Sequence, residues 1–294
     1  CIYHIMTGWV KIMNVSRFIK DDIKRSLIHN RYRIILCVFI VFGLMAAFYK
    51  HIGVINSVRD NKIQPSVCDY ILYMTRGICR VTEENITRLE IPYVWISLCI
   101  MCGLMVLDYM YSDMRGMGKN VLVYSKKKSL WWISKCITSV AAVTLVYVII
   151  WLMSVMFIFV SKGSMEGIHT DMFITMYNIN TSLLPSNMLE YSQTAICFYI
   201  VLYPWIISVC IGLFQVGLSI YTGPVVSFVI IIILDVLAVF SNNILLCGNW
   251  IMAERCSILA EDGLNIYVML AMAAVLAIVS VIVGWHRFKK KDIL

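Results

Sequence analysis

Charged residues are scarce in this chain: Asp, Glu, Lys and Arg make up 14% of its 294 residues, where a soluble domain carries about 25%. With 61% apolar residues and a mean hydropathy of +0.82, that scarcity excludes a disordered protein, a collagen-like repeat and an ordinary cytosolic enzyme. Histidine is sparse as well. His4, His29, His51, His169 and His286 each stand alone, with no second ligand at metal spacing. No stretch reads G-x-x-x-x-G-K-[ST], so the chain has no P-loop of its own for nucleotide phosphates. No short apolar core with a small-residue cleavage site is found at the amino end, and a secretory signal is not expected there. Glu83-Glu84-Asn85-Ile86-Thr87-Arg88 matches EExxxR, a pattern of intramembrane prenyl-type proteases, but the intramembrane histidines such enzymes need are absent.

What is present is long apolar sequence. Six stretches stand out, at 34–49, 91–112, 136–161, 195–220, 224–240 and 266–285. About 20 helical residues cross the roughly 30 Å hydrocarbon layer, so the first and fifth are short. Arg33 and Lys50 can snorkel at the ends of the first, and Thr222-Gly223-Pro224 reads as a tight turn into the fifth. The expected fold class is therefore all-α: six transmembrane helices occupying 34–294.

Basic residues set the expected orientation. With the amino terminus inside, segments 1–33, 113–135, 221–223 and 286–294 hold 17 of the 25 Lys and Arg, in 68 residues against 99 outside. That asymmetry places both termini in the cytoplasm, and it makes the net charge of +8 an orientation signal rather than a sign of nucleic acid. Trp131, Trp132 and Trp285 fall at the inner boundary and Trp95 near the outer one, where an amphipathic ring is favoured.

Residues 1–12 precede the regular pattern and are expected to contribute nothing to the fold, as a non-native or disordered leader. From Met13 the sequence reads MNVSRFIKDDIKRSLIHNRYR. Val15, Ile19, Ile23 and Leu27 recur every four residues beside Phe18, and Arg17, Lys20, Lys24 and Arg31 share another face. Residues 13–33 therefore read as an amphipathic helix at the inner surface, its cations near anionic lipid; a solvated juxtamembrane linker is the alternative.

Two acids fall within spans. Asp108 lies near the inner end of the second. Asp235 lies deeper in the fifth, where a carboxylate costs about 2.5–3.5 kcal/mol at a span centre. A helix interface, a water-filled path and a protonated, hydrogen-bonded acid all remain open for it. Of 11 cysteines, Cys37, Cys99, Cys102, Cys136, Cys197 and Cys210 lie in spans and read as small packing residues. Cys68/Cys79 and Cys247/Cys256 each fall within one outer segment and are candidate disulfides in an oxidising exterior; free thiols are the alternative.

The inner loop after the second apolar stretch carries the most specific pattern. An acidic-aromatic exit with Asp113 leads into Gly118-Lys119-Asn120-Val121-Leu122, then Ser125–Lys128, then Ser134-Lys135 opening the third stretch. A solvated tether has no need of the apolar run Val121–Tyr124. Together with the start at Met13, the six apolar stretches and the tail Arg287-Phe288-Lys-Lys-Lys, this resembles the permease subunits of type-2 ABC exporters of Gram-positive bacteria over about 13–294.

The resemblance implies that the loop holds a coupling helix docking on an ATPase through Arg115, Lys119, Val121, Leu122, Tyr124, Lys126, Lys127 and Lys128. It makes 13–33 the connecting helix and 241–265 re-entrant half-helices at the outer mouth. Gly116 and Gly118 depart from it, since glycine lowers helix propensity.

It also implies a non-catalytic subunit of the bacterial plasma membrane with no cofactor in this chain. ATP and Mg would be bound by two copies of a partner ATPase. A second permease chain, identical or related, would complete the complex within membrane lipid, and the cargo would be an amphipathic peptide, lipid or drug. Two other classes stay open: a membrane sensor or immunity protein binding an external peptide through 50–90, and an integral-membrane enzyme, for which the spans offer only Asp108 and Asp235.

Overall fold

The computed structural model describes residues 15–58, 64–81, 91–107, 109–115, 128–165, 167, 192–257, 259–260 and 263–290. Within them the chain is helical, without strands: α1 (Val15–His29), α2 (Arg31–Val58), α3 (Val67–Thr75), α4 (Tyr93–Val106), α5 (Tyr109–Arg115), α6 (Lys128–Ser161), α7 (Gln193–Thr222), α8 (Pro224–Phe240), α9 (Gly248–Ile251), a 3₁₀ turn (Ala253–Arg255) and α10 (Ile266–Lys290). Residues 1–12, Asp108 and 116–127 lie outside the described residues.

Five helices are long and apolar enough to cross a membrane: Arg31–Ser57, Tyr93–Met114, Lys128–Ser161, Thr194–Thr222 and Ile266–Lys290. The fifth apolar stretch forms α8, Pro224–Phe240, a shorter apolar helix of 17 residues. The first is longer than its apolar run, because α2 continues through Lys50 and His51 to Val58 and spans 28 residues. At 34 residues α6 is the longest, roughly 50 Å at 1.5 Å per residue.

At the centre is α7, which packs most extensively on α10 and also on α6, α8, α4 and α3. The α7–α10 crossing is close because small residues line it. A Cβ added at Gly217 would sit 2.7 Å from the Ser280 carbonyl oxygen, and one at Gly284 would sit 2.7 Å from the Trp132 ring. Membrane helices associate through such small-residue contacts when lipid removes the hydrophobic drive between them. Gly223, at φ +90°, makes the reversal from α7 into α8, and Pro224 follows at the first helical position.

Two segments expected as outer loops are built into the bundle. Residues 50–90 contain α3, started by a capping box in which the Asp69 N–H donates to Ser66 Oγ (3.2 Å) and the Ser66 N–H donates to Asp69 Oδ2 (2.7 Å). Its Tyr70 and Met74 are fully buried, and Phe48 stacks on Tyr73 at 4.5 Å. Segment 241–265 folds inward as α9 and the 3₁₀ turn, burying Trp250, Ile251, Met252 and Cys256. Buried Arg255 ties this segment to the end of α8, donating to the carbonyls of Val239 (2.9 Å), Ser241 (2.8 Å) and Ala238, while Arg76 pairs with Glu254. Burial pulls the Arg255 guanidinium down to about 10, which leaves it charged at neutral pH.

Of the tryptophans placed at headgroup depth by sequence, three are packed against neighbouring helices and Trp285 is half-buried. Trp95, Trp131 and Trp132 are no more than 2% exposed. Trp131 stacks on Phe288 with centroids 4.7 Å apart, and Trp132 donates to the Val281 carbonyl at 3.1 Å.

Candidate functional site

The site grows from the break in the second apolar helix. The helical ladder of α4 stops at Val106, and α5 resumes at Tyr109. A break of this kind leaves carbonyls without amide donors. Asn30 Nδ2 donates to the Met105 carbonyl at 3.1 Å, and Arg33 donates to the Leu104 carbonyl at 3.0 Å. The residues that join α1 to α2 thus satisfy the break, and α5 carries Tyr109 and Asp113, four positions apart, on one face.

That face meets α1 and the first turns of α6 in a buried ionic cluster. Lys135 Nζ lies 2.7 Å from Asp22 Oδ1 and 2.7 Å from Asp113 Oδ2. Ser134 Oγ donates to Asp22 Oδ2 at 2.6 Å, Thr138 Oγ1 approaches the same oxygen at 3.3 Å, and the Tyr109 hydroxyl donates to Asp22 Oδ1 at 2.6 Å. Trp131 Nε1 donates to Asp113 Oδ2 at 3.2 Å. Arg25 approaches both carboxylates from the rim, at 3.5 Å from Asp22 and 3.7 Å from Asp113. The Lys135 ammonium also stands over the Tyr109 ring, 4.4 Å from its centroid.

Two carboxylates, one lysine and one arginine balance in charge, and the Asp22 and Lys135 side chains are 0% and 1% exposed. Burial alone would raise the Asp22 carboxyl, but the Lys135 charge and hydrogen bonds from Lys135, Ser134 and Tyr109 outweigh it and hold the group below its ordinary value. A cavity of about 20 Å³ borders the cluster, lined among others by Ser26, Tyr109, Lys135 and Ser139. It has room for a single water.

The cluster explains how α1 sits. The sequence pattern puts Ile19, Ile23 and Leu27 on the apolar face. The buried stripe is instead Phe18, Asp22, Ser26 and Asn30, turned toward α6, while Ile19 and Ile23 are half-buried and Leu27 is exposed. Asp22 is the functional candidate that sequence reasoning missed. Its signal was available: a lone polar repeat at every fourth position within a basic helix.

Of the residues expected to touch an ATPase, Lys119, Val121, Leu122, Tyr124, Lys126 and Lys127 lie outside the described residues, as does the Arg115 side chain. Lys128 is described: its ammonium donates to the Lys289 carbonyl at 3.2 Å, fastening the start of α6 to the end of α10. The structure brings together Asp113, Ser134 and Lys135, the flanking parts of the loop pattern. Residues 116–127 therefore run between two anchored helix ends.

At the opposite end of the bundle, Asp235 is 2% exposed, with Cys247 Sγ at 3.9 Å from its Oδ1. Cys68, Cys79, Cys247 and Cys256 form no disulfide in the structure. Asp235 is the neighbour of Cys247. Among the described residues no group of three or more His, Cys, Asp or Glu side chains is arranged to hold a metal ion.

Comparison with known proteins gives one family. The model described as "Protein of unknown function (DUF2705)" matches residues 54–294. No curated protein and no solved structure matches the chain.

Proposed function

This chain belongs to the DUF2705 family, and we propose that it is the membrane-spanning permease subunit of an ATP-driven exporter, powered by a separate ATPase. Its six apolar helices, α8 included, cross the plasma membrane with both termini in the cytoplasm. Segment 115–128 docks on the ATPase, and movement there passes to the bundle through the Asp22–Lys135–Asp113 cluster. The observation that carries this reading is that α1, the exit of the second helix and the entry of the third share one buried ionic cluster, so a push on the intervening loop cannot move one helix end alone. A tether without a mechanical task has no use for that fastening.

Two such six-helix halves, identical or related, surround the path in this reading. Alternating access then takes place between them, with an amphipathic peptide, lipid or drug as cargo. The chain itself performs no chemistry; ATP and Mg belong to the partner.

The experiment is affinity purification of the full chain from native membranes. An ATPase chain is expected to come down with the parent. It should be lost, or its hydrolysis uncoupled, when Val121 and Leu122 are both replaced by alanine, since truncating buried anchors weakens a small interface about ten- to hundredfold. Recovery of no ATPase, or a double variant that binds and couples like the parent, overturns the reading. External thiol labelling of a single cysteine at position 126 in intact cells would overturn the orientation.

A further inference from the structure

Asp235 is buried on α8, and among the described residues no cation forms an ion pair with it. The titratable groups that face it are thiols: Cys99 and Cys102 from α4, and Cys247 from the 241–265 segment. From α7 come Ser208 and Gln215, which do not titrate in this range. Arg255 is committed to the carbonyls of Ala238, Val239 and Ser241, farther along the chain. The backbone of Gly248 presses on the acid so closely that a Cβ there would lie 2.9 Å from the Asp235 Cα and 3.1 Å from its Oδ1. Beside these groups is a cavity of about 20 Å³, bordered by Asp235, Ser208, Gln215 and Cys102. Its size suits a single water, for which Asp235, Ser208 and Gln215 are the polar contacts in an otherwise mostly apolar lining.

We infer that Asp235 and this cavity form a proton-binding site, and that the proton held there keeps the 247–251 turn seated on α8. An ionised carboxylate in this position faces a backbone and thiols, which are weak donors, with no cation to offset it. The neutral acid tolerates the close approach of Gly248. On ionisation the proton leaves the carboxyl for bulk water, and a carboxylate remains. The bare charge is then relieved when the turn lifts and solvent reaches it. Seated and lifted forms thus differ by one bound proton. The inference does not depend on an ATPase partner, because every group it uses lies in this chain.

The test is amide hydrogen exchange of the full chain in nanodiscs without nucleotide, read at Asn249 and Trp250, whose N–H groups donate to Leu246 and Cys247. After correction for intrinsic exchange, opening in the parent is expected to rise about tenfold per pH unit, the slope of one linked proton, across the range where only the seated form is protonated. Asp235→Asn should remain seated with a flat profile. Glu254→Gln removes another acid of the same segment, half-buried and paired with Arg76, and should keep the slope. A flat parent profile, a slope that survives Asp235→Asn, or a slope abolished by Glu254→Gln overturns the inference. Because Asp235→Asn could fail to assemble, infrared spectra of the parent give a second reading. A carboxylic-acid carbonyl band that titrates with the same midpoint as the opening is expected, and absence of a band with that midpoint overturns it.

Discussion

Asp22 and Asp235 are both buried aspartates at opposite ends of one bundle, and their surroundings differ in kind. Asp22 meets an ammonium at 2.7 Å, two hydroxyl donors at 2.6 Å and a guanidinium at 3.5 Å. Asp235 meets thiols and a glycine backbone. A fully paired cluster resists change, because removing one member leaves the others charged and buried. A poorly partnered acid can change state at small cost. The first suits a joint that must carry force unaltered, the second a contact that must open.

The comparison is broken most severely by Lys135→Met. It strips Asp22 and Asp113 of their shared cation and should destabilise the protein by about 3–5 kcal/mol, the cost of orphaning a buried charge. Thermal unfolding in detergent would show it, and a variant within error of the parent would reduce the cluster to decoration. Asp22→Asn keeps the shape, loses the charge-assisted bonds and should cost about 1.5–3 kcal/mol. Asp235→Asn, which gives up only weak thiol contacts, should stay within about 1 kcal/mol of the parent. If these two asparagine variants ranked in the reverse order, the distinction between the ends would be lost.

Acid sharpens the contrast. The Asp22 carboxyl is held below its ordinary value of 3.8, so its contribution is fully present above that value and is lost as pH falls from there through the lower value of the folded state. Exchange protection of residues 18–30 should accordingly fall only below about pH 4. Loss of α1 protection nearer neutrality would show that Asp22 is not the group holding it. The smallest effect is expected from Lys127→Ala: as a rim charge it should alter the salt dependence of ATPase binding more than its strength.

The apolar stretches were legible because hydropathy is a local property, and five of the six correspond to helices of spanning length. Helix extensions were less so: α2 runs through Lys50 and His51, since packing of Ile52 extends it beyond the apolar run. The buried helix α3 was hidden within a presumed loop, although Ser66-x-x-Asp69 before an apolar run was a readable start signal. Asp113, Ser134 and Lys135 were singled out as a pattern, but their meeting with Asp22 was not, because it joins positions up to 113 residues apart along the chain. A carboxylate on a basic helix reads as solvated until its lysine is found. Asp235 was visible by its depth; its thiol neighbours lie on another helix and across a turn, and no sequence period connects them.

The central claim is that motion at the ATPase contact reaches α1 through the buried cluster. Hydrogen exchange of Phe18–Asn30 in the purified complex, with and without a non-hydrolysable ATP analogue, tests it most directly. The account predicts that nucleotide changes protection of this segment in the parent, and that the response disappears in Asp22→Asn while the ATPase remains bound. Protection indifferent to nucleotide in the parent, or a response of full size in Asp22→Asn, would contradict it.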